Sequence, residues 1–281
     1  MTRPELTHEE FRLWSEWLAE EFGLQFGPER RDTLRNRLEP RRSALGLATF
    51  EDLLFRVKFH PERDAERERL VPHLTNNESY FCRERGTLDA LRGEVLPALR
   101  ERLGPAGELR ILSAACAAGE EVYTLASVVR DTGLFAPGRV RITGVDLDPA
   151  ALDRARAGVY TEHAFRGTGP EFRERWFRPD GDGRWEVRPE LRAGVDFRRA
   201  NLVDEGWWGP LAPQHVVLCR NVLIYFGDEA LRRAAEGLYR VLPTGGFLFL
   251  GHAETLRRVA VPLRVERRPG AIFYRRGEEE G

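Results

Sequence analysis

Several polar side chains stand where apolar runs of the sequence end. Asp146 ends one run, Asn201 follows another, and Arg220 with Asn221 follows a third. The side chains of a buried parallel strand are apolar because helices cover both faces of the sheet, so polar residues at its carboxyl end need a reason. Ligands of open α/β sheets bind at these ends. We therefore expect a small-molecule site there; the alternative is that the strands simply end in polar loops.

The first predicted strand runs into a turn of small residues that is followed by two acids. Ala115 lies in this turn, and Gly119 precedes Glu120 and Glu121 at the start of a helix. Small residues let a ligand approach the backbone, and a helix N-terminus offers unpaired N–H groups. The turn lacks the G-x-G-x-x-G pattern, and its glutamates would repel a dinucleotide phosphate, so a cationic ligand fits better. Either glutamate alone could instead only stabilise the helix through its macrodipole.

Two aspartates follow the second predicted strand. An acid at this position can accept hydrogen bonds from both ribose hydroxyls of an adenosine. Asp146 is the better candidate because it directly follows the apolar strand. Asp148 could instead cap the next helix, which begins at Pro149.

A basic stretch occupies the second predicted helix of an otherwise neutral chain. Leu34 and Leu38 mark the apolar face of this helix, and we expect Pro40 to kink or end it. The stretch is either a solvated helix face or a contact surface for an acidic partner, and the residues alone leave both interpretations open. Six arginines stand there against two acids: Arg30, Arg31, Arg35, Arg37, Arg41 and Arg42.

The composition limits the class of protein. With 44 basic and 45 acidic residues among 281, the chain does not rely on overall charge to bind nucleic acid. The three cysteines, Cys82, Cys116 and Cys219, are far apart and lack metal-ligand spacing, so we expect a reduced cytoplasmic protein without a zinc site. The polar segment from Met1 to Glu10 does not resemble a signal peptide, and no apolar run is long enough to span a bilayer.

The amino-terminal third of the chain is predicted to be helical. Thr7 and Glu10 form a capping box before the first helix, which ends at Gly23. We assign no element to the charged segment 61–69. Further helices are predicted from about residue 28, around residues 50–57 and over residues 87–103.

From Leu109 onward, short apolar runs alternate with helices, which is the signature of a parallel α/β sheet. Residues 158–193 break this alternation and predict a small antiparallel hairpin around the turn from Pro179 to Gly183. Sheet strands are predicted near residues 109–114, 140–146, 194–199, 215–220 and 246–251, with a closing hairpin formed by residues 261–265 and 271–274.

Seven segments of the chain match one protein family in their order and spacing. They are residues 77–84 (NESYFCRE), 119–121 (GEE), 146–148 (DLD), 201–202 (NL), 219–226 (CRNVLIYF), 245–246 (GG) and 250–254 (LGHAE). Several of them are weak individually, but together they are highly specific. On these segments the chain resembles, over nearly its whole length, the CheR family of chemotaxis receptor methyltransferases, which are S-adenosylmethionine-dependent and form glutamate methyl esters.

This resemblance implies an α/β fold built on a class I S-adenosylmethionine-dependent methyltransferase (Rossmann-like) sheet. It implies an all-helical, receptor-contacting domain at residues 1–72 and a linker at residues 73–86 that contributes to the cofactor site. The methyltransferase domain would follow at residues 87–281, with an antiparallel β-subdomain inserted at about residues 160–193.

The resemblance also implies roles for individual residues. Asn77, Ser79 and Arg83 would reach the cofactor from the linker, while Glu120 would face its methionine amino group and Asp146 would hold its ribose. We expect Arg83 to orient the incoming carboxylate as well, and Tyr225 to line the methyl-transfer channel. The other residues expected around the cofactor are Ala115, Asn201, Leu202, Arg220 and Asn221.

The implied reaction needs few catalytic groups. A glutamate side chain has a pKa of about 4.3, so it is already an anionic nucleophile at neutral pH and no general base is required. Transfer of the methyl group from the sulfonium is an in-line displacement, to which the protein contributes alignment and exclusion of water.

The resemblance gives the basic helix a partner, the acidic helical methylation region of a chemoreceptor. Ala118 and Val122 depart from the family pattern, which has a small hydroxyl residue and a proline there, and this bears on cofactor affinity.

The turn from Pro179 to Gly183 is shorter than in members whose β-subdomain binds a receptor's tether peptide, so we expect an enzyme independent of such a tether. The alternatives are a non-catalytic protein that binds the cofactor or docks on receptors, and a nucleotide-dependent dehydrogenase, which the missing phosphate loop disfavours.

Overall fold

The computed structural model describes residues 4–277. The start of the polar amino-terminal segment and the outer ends of the two predicted domains, residues 1–3 and 278–281, lie outside the described residues. The amino-terminal helices are α1 His8–Phe22, α2 Arg31–Ala44, α3 Phe50–Phe59 and α4 Arg63–Leu74, with a short 3₁₀ helix Pro28–Arg30 before α2.

The predicted capping box of α1 is confirmed, and its acid also serves a second helix. The Thr7 hydroxyl accepts a hydrogen bond from the Glu10 amide at 3.2 Å, and Glu10 accepts one from the Thr7 amide at 2.9 Å. The other carboxylate oxygen of Glu10 accepts from the amides of Phe50 and Glu51 at 3.0 and 3.1 Å. One carboxylate therefore satisfies orphan N–H groups at the starts of both α1 and α3. Gly23 ends α1, as predicted, and it does so in the left-handed conformation.

The helical region differs from the sequence analysis at two places: one of the two outcomes expected at Pro40, the end of the helix, is wrong, and the segment 61–69, which has no predicted element, is largely helical. Pro40 does not end α2, which continues to Ala44, because Leu34 and Leu38 are fully buried and packing outweighs one lost backbone hydrogen bond. The charged segment after residue 61 is not featureless but forms most of α4. Glu66 in α4 is buried and forms ion pairs with Arg41 of α2 and Arg69 of α4, and the pair with Arg41 holds α4 against α2.

The helix predicted over residues 87–103 is present and starts slightly earlier. It comprises α5 Arg85–Ala90, a single π-helical segment Leu91–Val95, and α6 Leu96–Leu103. Its buried face carries Leu91, Val95 and Leu99 and packs into the core beneath the sheet. The remaining α-helices are α7 Glu120–Thr132, α8 Pro149–Ala157, α9 Pro170–Trp176, α10 Pro189–Arg192, α11 Glu205–Trp208 and α12 Asp228–Val241.

The sheet strands agree with the prediction, and the predicted fold class is confirmed. Within residues 4–277 the main sheet has seven strands in the order β6-β2-β1-β7-β8-β10-β9. The pairs that β10 forms with β8 and β9 are antiparallel, and the other pairs are parallel. The strands are β1 Leu109–Ala114, β2 Val140–Asp146, β3 Val159–Thr161, β4 Phe177–Pro179, β5 Arg184–Val187, β6 Val195–Arg199, β7 Val216–Cys219, β8 Phe247–Leu250, β9 Leu263–Arg268 and β10 Ala271–Arg276.

The short strands β3, β4 and β5 form a separate antiparallel sheet in the order β3-β5-β4. The hairpin predicted around the turn from Pro179 to Gly183 joins β4 to β5, and the Asp180 amide donates to the Arg184 carbonyl at 2.9 Å. We call the region from β3 to β5 the inserted subdomain.

The helical region contacts the main sheet where the strands β6 and β7 end. The Gln25 amide donates to the Tyr225 carbonyl at 2.8 Å, and the Asn201 side chain donates to the Glu21 carbonyl, also at 2.8 Å. These bonds fix the helices over the carboxyl edge of the sheet. Within the described part of the chain, none of the helices is both long and apolar enough to cross a membrane.

Candidate active site

A cavity lies at the carboxyl edge of the sheet, closed from above by the helical region and from one side by residues 75–84. These residues are the part of the predicted linker 73–86 that lies between α4 and α5, and we call them the linker from here on. The structure brings nearly all the residues predicted from sequence to this cavity. Its lining includes Asn77, Ser79, Arg83, Ala115, Asp146, Asn201, Leu202, Arg220, Asn221 and Tyr225.

Glu120 is the predicted residue that does not line the cavity. Its side chain is buried behind the lining at the start of α7, and the neighbouring Glu121 lines the cavity instead. Burial raises the pKa of Glu120, an effect partly offset by a hydrogen bond from the Ser79 side chain. The Oε2 atom of Glu120 has no hydrogen-bond partner within residues 4–277. A buried acceptor without a partner is costly, so this carboxylate is suited to a cationic donor.

Asp146 organises the turn after β1. Its Oδ2 accepts from the Ala117 amide at 2.8 Å and its Oδ1 accepts from the Asp148 amide at 2.9 Å. Burial raises the pKa of Asp146. Each carboxylate oxygen has more than one acceptor site, so both oxygens can still accept a further hydrogen bond from a ligand.

Asp148 has the capping role considered as an alternative from sequence. It accepts from the amides of Ala150 and Ala151 at 2.8 and 3.3 Å, at the start of α8. Its second oxygen accepts from the side chain of Asn77 at 2.5 Å. Asp148 therefore ties the linker to α8 and leaves the cavity to Asp146.

Three residues of the lining have a strained backbone. Ala115, Ala117 and Asn221 have φ values of 63°, 48° and 60°, in the left-handed region that side chains other than glycine rarely adopt. Ala115 and Ala117 follow β1, and Asn221 follows β7. Strain of this kind persists only where the surroundings hold it, and it clusters at functional sites. By contrast, Ala118 and Val122, which depart from the family pattern, do not line the cavity.

Arg220 is buried and its donors are engaged within the protein. Its Nη1 donates to Glu121 at 2.9 Å, and its Nη2 lies 2.9 Å from Glu84 and donates to the Arg83 carbonyl at 3.0 Å. Its position in the lining agrees with the sequence prediction. The contacts indicate that it fixes the linker against the end of β7.

The linker is also anchored through Phe81, which is fully buried in an aromatic cluster of the inserted subdomain. Its ring stacks on Phe165 and meets Tyr160 and Phe177 edge-on, each at a centroid distance of 4.9 Å. The Cys82 amide donates to the Thr124 hydroxyl at 3.1 Å. The two residues that make these contacts directly precede the candidate residue Arg83, and the contacts restrict the path of its backbone.

At the mouth of the cavity, Tyr225 faces the linker and the helical region. The side chain of Asn76 donates to its hydroxyl at 3.3 Å. Arg37 lines the same part of the cavity and donates to the Leu74 carbonyl. Burial lowers the pKa of Arg37, and the nearby charge of Arg30 lowers it further, while Tyr225 has the opposite effect.

The structure divides the six arginines of the basic stretch. Arg30 and Arg37 line the cavity, whereas Arg31 and Arg35 lie outside it. Arg41 is paired with the buried Glu66, and Arg42 is paired with Glu39. These last two side chains are therefore occupied within the protein.

Sequence reasoning missed three residues that shape the site. Glu84 binds Arg220, Arg166 of the inserted subdomain lies over the Tyr80 ring at 4.1 Å, and Glu254 binds the loop after β7. Glu84 and Glu254 both lie in segments that match the family, and this could have marked them as site residues, but the sequence assigned neither of them a role. Nothing in the sequence pointed to Arg166.

The fold and this site define an S-adenosylmethionine-dependent methyltransferase of class I. A family model described as the CheR methyltransferase SAM binding domain matches residues 77–269, and one described as the CheR methyltransferase all-alpha domain matches residues 9–75. The chain belongs to the CheR methyltransferase family.

Curated relatives match along nearly the whole chain. Chemotaxis protein methyltransferase 1 of Pseudomonas aeruginosa is 33% identical over 272 residues, which are 95% of this chain and 97% of that protein. Chemotaxis protein methyltransferase Cher2 of Pseudomonas putida is 31% identical, with coverage of 97% and 99%. The chemotaxis protein methyltransferase of Escherichia coli is 32% identical, with coverage of 89% and 85%.

Proposed function

We propose that this protein transfers the methyl group of S-adenosylmethionine to glutamate carboxylates on the cytoplasmic helices of chemoreceptors, forming glutamyl methyl esters. The names of the relatives, chemotaxis protein methyltransferases, support a substrate in that system. The observation that carries the proposal is the charge at the cavity mouth. Arg30, Arg37 and Arg83 border the same cavity as the residues expected around the cofactor.

The cofactor would be held by acids on the sheet side. Glu120 lies behind the cavity lining and is hydrogen-bonded to Ser79, which does line the cavity, so its carboxylate would act on the cationic amino group of the methionine moiety through Ser79. The free acceptor sites of Asp146 suit the ribose hydroxyls. When bound, S-adenosylmethionine supplies an electrophilic methyl group on a sulfonium. The other residues that we propose around it are Asn77, Arg83, Ala115, Asn201, Leu202, Arg220 and Asn221.

The substrate carboxylate would enter on the arginine side. Arg30 and Arg37 lie close enough for their charges to interact, and neither forms an ion pair within residues 4–277. Arg83 donates from Nη1 to the Glu78 carbonyl at 3.2 Å, and its other N–H groups have no hydrogen-bond partner in the described residues. A carboxylate entering here would neutralise this local positive charge.

The chain's own residues then need to align the carboxylate rather than to move a proton. Holding two reactants in a near-attack geometry can lower a barrier by about 7–11 kcal/mol. Arg83 would orient the carboxylate, and Tyr225, fixed by Asn76 and by the Gln25 amide, would form the wall beside it. Very tight pairing with arginine would stabilise the ground state as well as the transition state, so orientation is the useful contribution.

The outer surface of α2 would extend the contact with an acidic receptor helix. Arg31 and Arg35 are the available members of the basic stretch, since Arg41 and Arg42 are paired internally. We further propose that methylation does not depend on a tether peptide, which the short turn from Pro179 to Gly183 supports. A cytoplasmic location is part of the proposal and is supported by the free thiols of all three cysteines.

The experiment is methyl transfer from labelled S-adenosylmethionine to chemoreceptor cytoplasmic fragments. Fragments with intact glutamates in the methylation region should become labelled, and fragments in which these glutamates are alanine should not. Equal labelling of both fragments would refute the proposed acceptor. Binding of S-adenosylhomocysteine without any transfer would instead support a non-catalytic regulatory protein.

A charge reversal tests the arginine side of the cavity. Arg30→Glu should raise the KM for the receptor fragment by about tenfold without changing the affinity for S-adenosylhomocysteine, because it repels the incoming carboxylate. Arg257→Glu, an exposed site elsewhere on the surface, is the matched control and should leave the KM unchanged. The double reversal of Arg31 and Arg35 should also weaken methylation, and equal activity would identify that part of α2 as a solvated face.

A further inference from the structure

The segment after β8 contains an acid with an unusual set of partners. Glu254 accepts hydrogen bonds from four backbone amides, those of Asn221, Val222, Leu223 and Gly251. All four distances lie between 2.7 and 2.8 Å. Glu254 belongs to one of the matching segments of the sequence, and its contact with the loop after β7 has so far been noted without a function.

This arrangement requires a group that only accepts hydrogen bonds. Each oxygen of Glu254 takes two N–H donors: Oε2 takes those of Asn221 and Gly251, and Oε1 takes those of Val222 and Leu223. An ionised carboxylate has about four lone-pair sites, so the four amides fill it. Charge-assisted bonds of this kind are roughly twice as strong as neutral ones. A glutamine would place an N–H₂ group against two of the donors.

The bonds of Glu254 hold a residue of the cavity in a particular backbone conformation. Asn221 has a φ of 60°, in the left-handed region that asparagine adopts more readily than most residues with a side chain. Asn221 and Tyr225, four residues further on, both line the cavity. The 3₁₀ helix Leu223–Tyr225 begins at one of the bonded amides, so the carboxylate also sets the start of the segment that carries Tyr225.

Gly251 shows how closely the carboxylate is fitted. A Cβ atom at this position would lie 2.7 Å from Oε2 of Glu254 and 2.9 Å from the side-chain nitrogen of Asn221. Both distances are shorter than a real carbon contact allows. The end of β8 is therefore shaped so that Glu254 and Asn221 can both approach it.

We propose that Glu254 is a positioning residue of the methyltransferase, which acts by fixing the backbone from Asn221 to Tyr225. It couples the ends of β7 and β8 and presents the Asn221 side chain to the cavity. The inference uses the proposed cofactor role of Asn221, but it does not depend on the identity of the methyl acceptor.

The test is the affinity for S-adenosylhomocysteine, measured by calorimetry on folded protein at low temperature. Glu254→Gln should weaken binding by at least about tenfold, the equivalent of one charge-assisted contact. Glu266→Gln on the edge strand β9 is the matched control and should bind normally. A purely structural role would lower the melting temperature of Glu254→Gln but leave the affinity of the folded protein unchanged, and that result would overturn the proposal.

Two further variants keep the proposal testable if Glu254→Gln does not fold. Gly251→Ala retains the carboxylate but displaces it, and it should weaken binding in the same way; unchanged affinity would contradict the proposal.

In a double-mutant cycle, Glu254→Gln should reduce the affinity much less in an Asn221→Ala background than in the wild type, because both changes act through one contact. Additive losses would show that Glu254 does not act through Asn221. Loss of receptor methylation with normal cofactor affinity would contradict the positioning role that we propose for Glu254. That result would not bear on the methyl acceptor, which the experiment with receptor fragments tests.

Discussion

The guanidinium of Arg220 and the carboxylate of Glu84 form an ion pair with an Nη2–Oε2 distance of 2.9 Å, and their side chains are only 3% and 8% exposed. Arg220 follows β7, whereas Glu84 lies in the linker and has a left-handed backbone with φ of 59°. The pair therefore joins two segments that are far apart in sequence and both border the cavity. The linker takes its position from the sheet, not from its own propensity.

Removing one partner of this pair should destabilise the protein strongly. Glu84→Ala leaves Arg220 buried with Glu121 as its remaining acid, and breaking a buried pair costs about 3–5 kcal/mol. Urea unfolding measures the change. Glu94→Ala breaks an exposed pair with Arg268 and is the control, for which we expect at most about 1 kcal/mol. Similar losses for both variants would contradict a structural role for the Glu84–Arg220 pair.

Phe81 should be the residue that fastens the linker to the inserted subdomain. Phe81→Ala removes a fully buried ring from an aromatic cluster, and such a change costs about 3–5 kcal/mol. Phe59→Ala, at a phenylalanine that is 61% exposed, should change the stability by less than about 0.5 kcal/mol. Chemical denaturation of the two variants makes the comparison, and equal effects would mean that the linker is held elsewhere.

Cofactor binding should depend on pH through Glu120. Its pKa in the free protein is raised above the ordinary 4.5 by burial, and a bound ammonium group favours the ionised carboxylate. The affinity for S-adenosylhomocysteine should therefore rise as the pH increases through the raised pKa of Glu120, while the ligand's amino group stays protonated. Calorimetry on the wild type and on Glu120→Gln measures this. The variant should bind more weakly with a flatter profile, and identical profiles would exclude Glu120 from the amino-group site.

The raised pKa of Glu120 also affects the stability of the ligand-free protein, and this effect has the opposite pH dependence to the effect on cofactor affinity. An acid whose pKa is raised on folding contributes stability at pH values below its unfolded pKa, and this contribution is lost as the pH rises through the folded pKa. At neutral pH the ligand-free Glu120→Gln variant should therefore be more stable than the wild type. Thermal unfolding without ligand tests this, and a less stable variant would contradict the assignment of Glu120 as a site residue held at a cost to the fold.

The three cysteines should be unreactive in the native protein. Burial raises the pKa of Cys82 to about 11, and it also raises the pKa of Cys116 and Cys219 well above the ordinary value of a thiol. The thiolate is the reactive form, so iodoacetamide at pH 8 should modify the native protein very slowly and the urea-unfolded protein at all three thiols. Rapid modification of native protein would show that the linker around Cys82 opens in solution.

Local sequence signals predicted the fold well because they depend on neighbours in the chain. The capping box of Thr7 and Glu10, the end of α1 at Gly23 and the apolar strands are all of this kind. Polar residues at strand ends located the cavity because parallel strands bring their carboxyl ends to one edge. Pro40 was misjudged because the local cost of a helical proline is small beside the burial of Leu34 and Leu38.

The features that could not be predicted depend on pairs distant in sequence. Glu66 in α4 accepts hydrogen bonds from Arg41 in α2, and Glu254 accepts hydrogen bonds from the amides of a loop more than thirty residues earlier in the chain. No periodicity records such partners. For the same reason, the sequence could not predict that Glu121, and not Glu120, lines the cavity. The side chains of neighbouring helix positions point in different directions, and packing against the sheet decides which of the two is buried.

The central claim is that this methyltransferase forms esters on glutamate. The most direct measurement is to label a chemoreceptor cytoplasmic fragment with methyl-labelled S-adenosylmethionine, isolate it and treat it with alkali. A glutamyl methyl ester predicts that the label is released as volatile methanol, with the fragment left unlabelled. Label that stays on the fragment after alkali would indicate methylation of nitrogen or carbon and would contradict the claim.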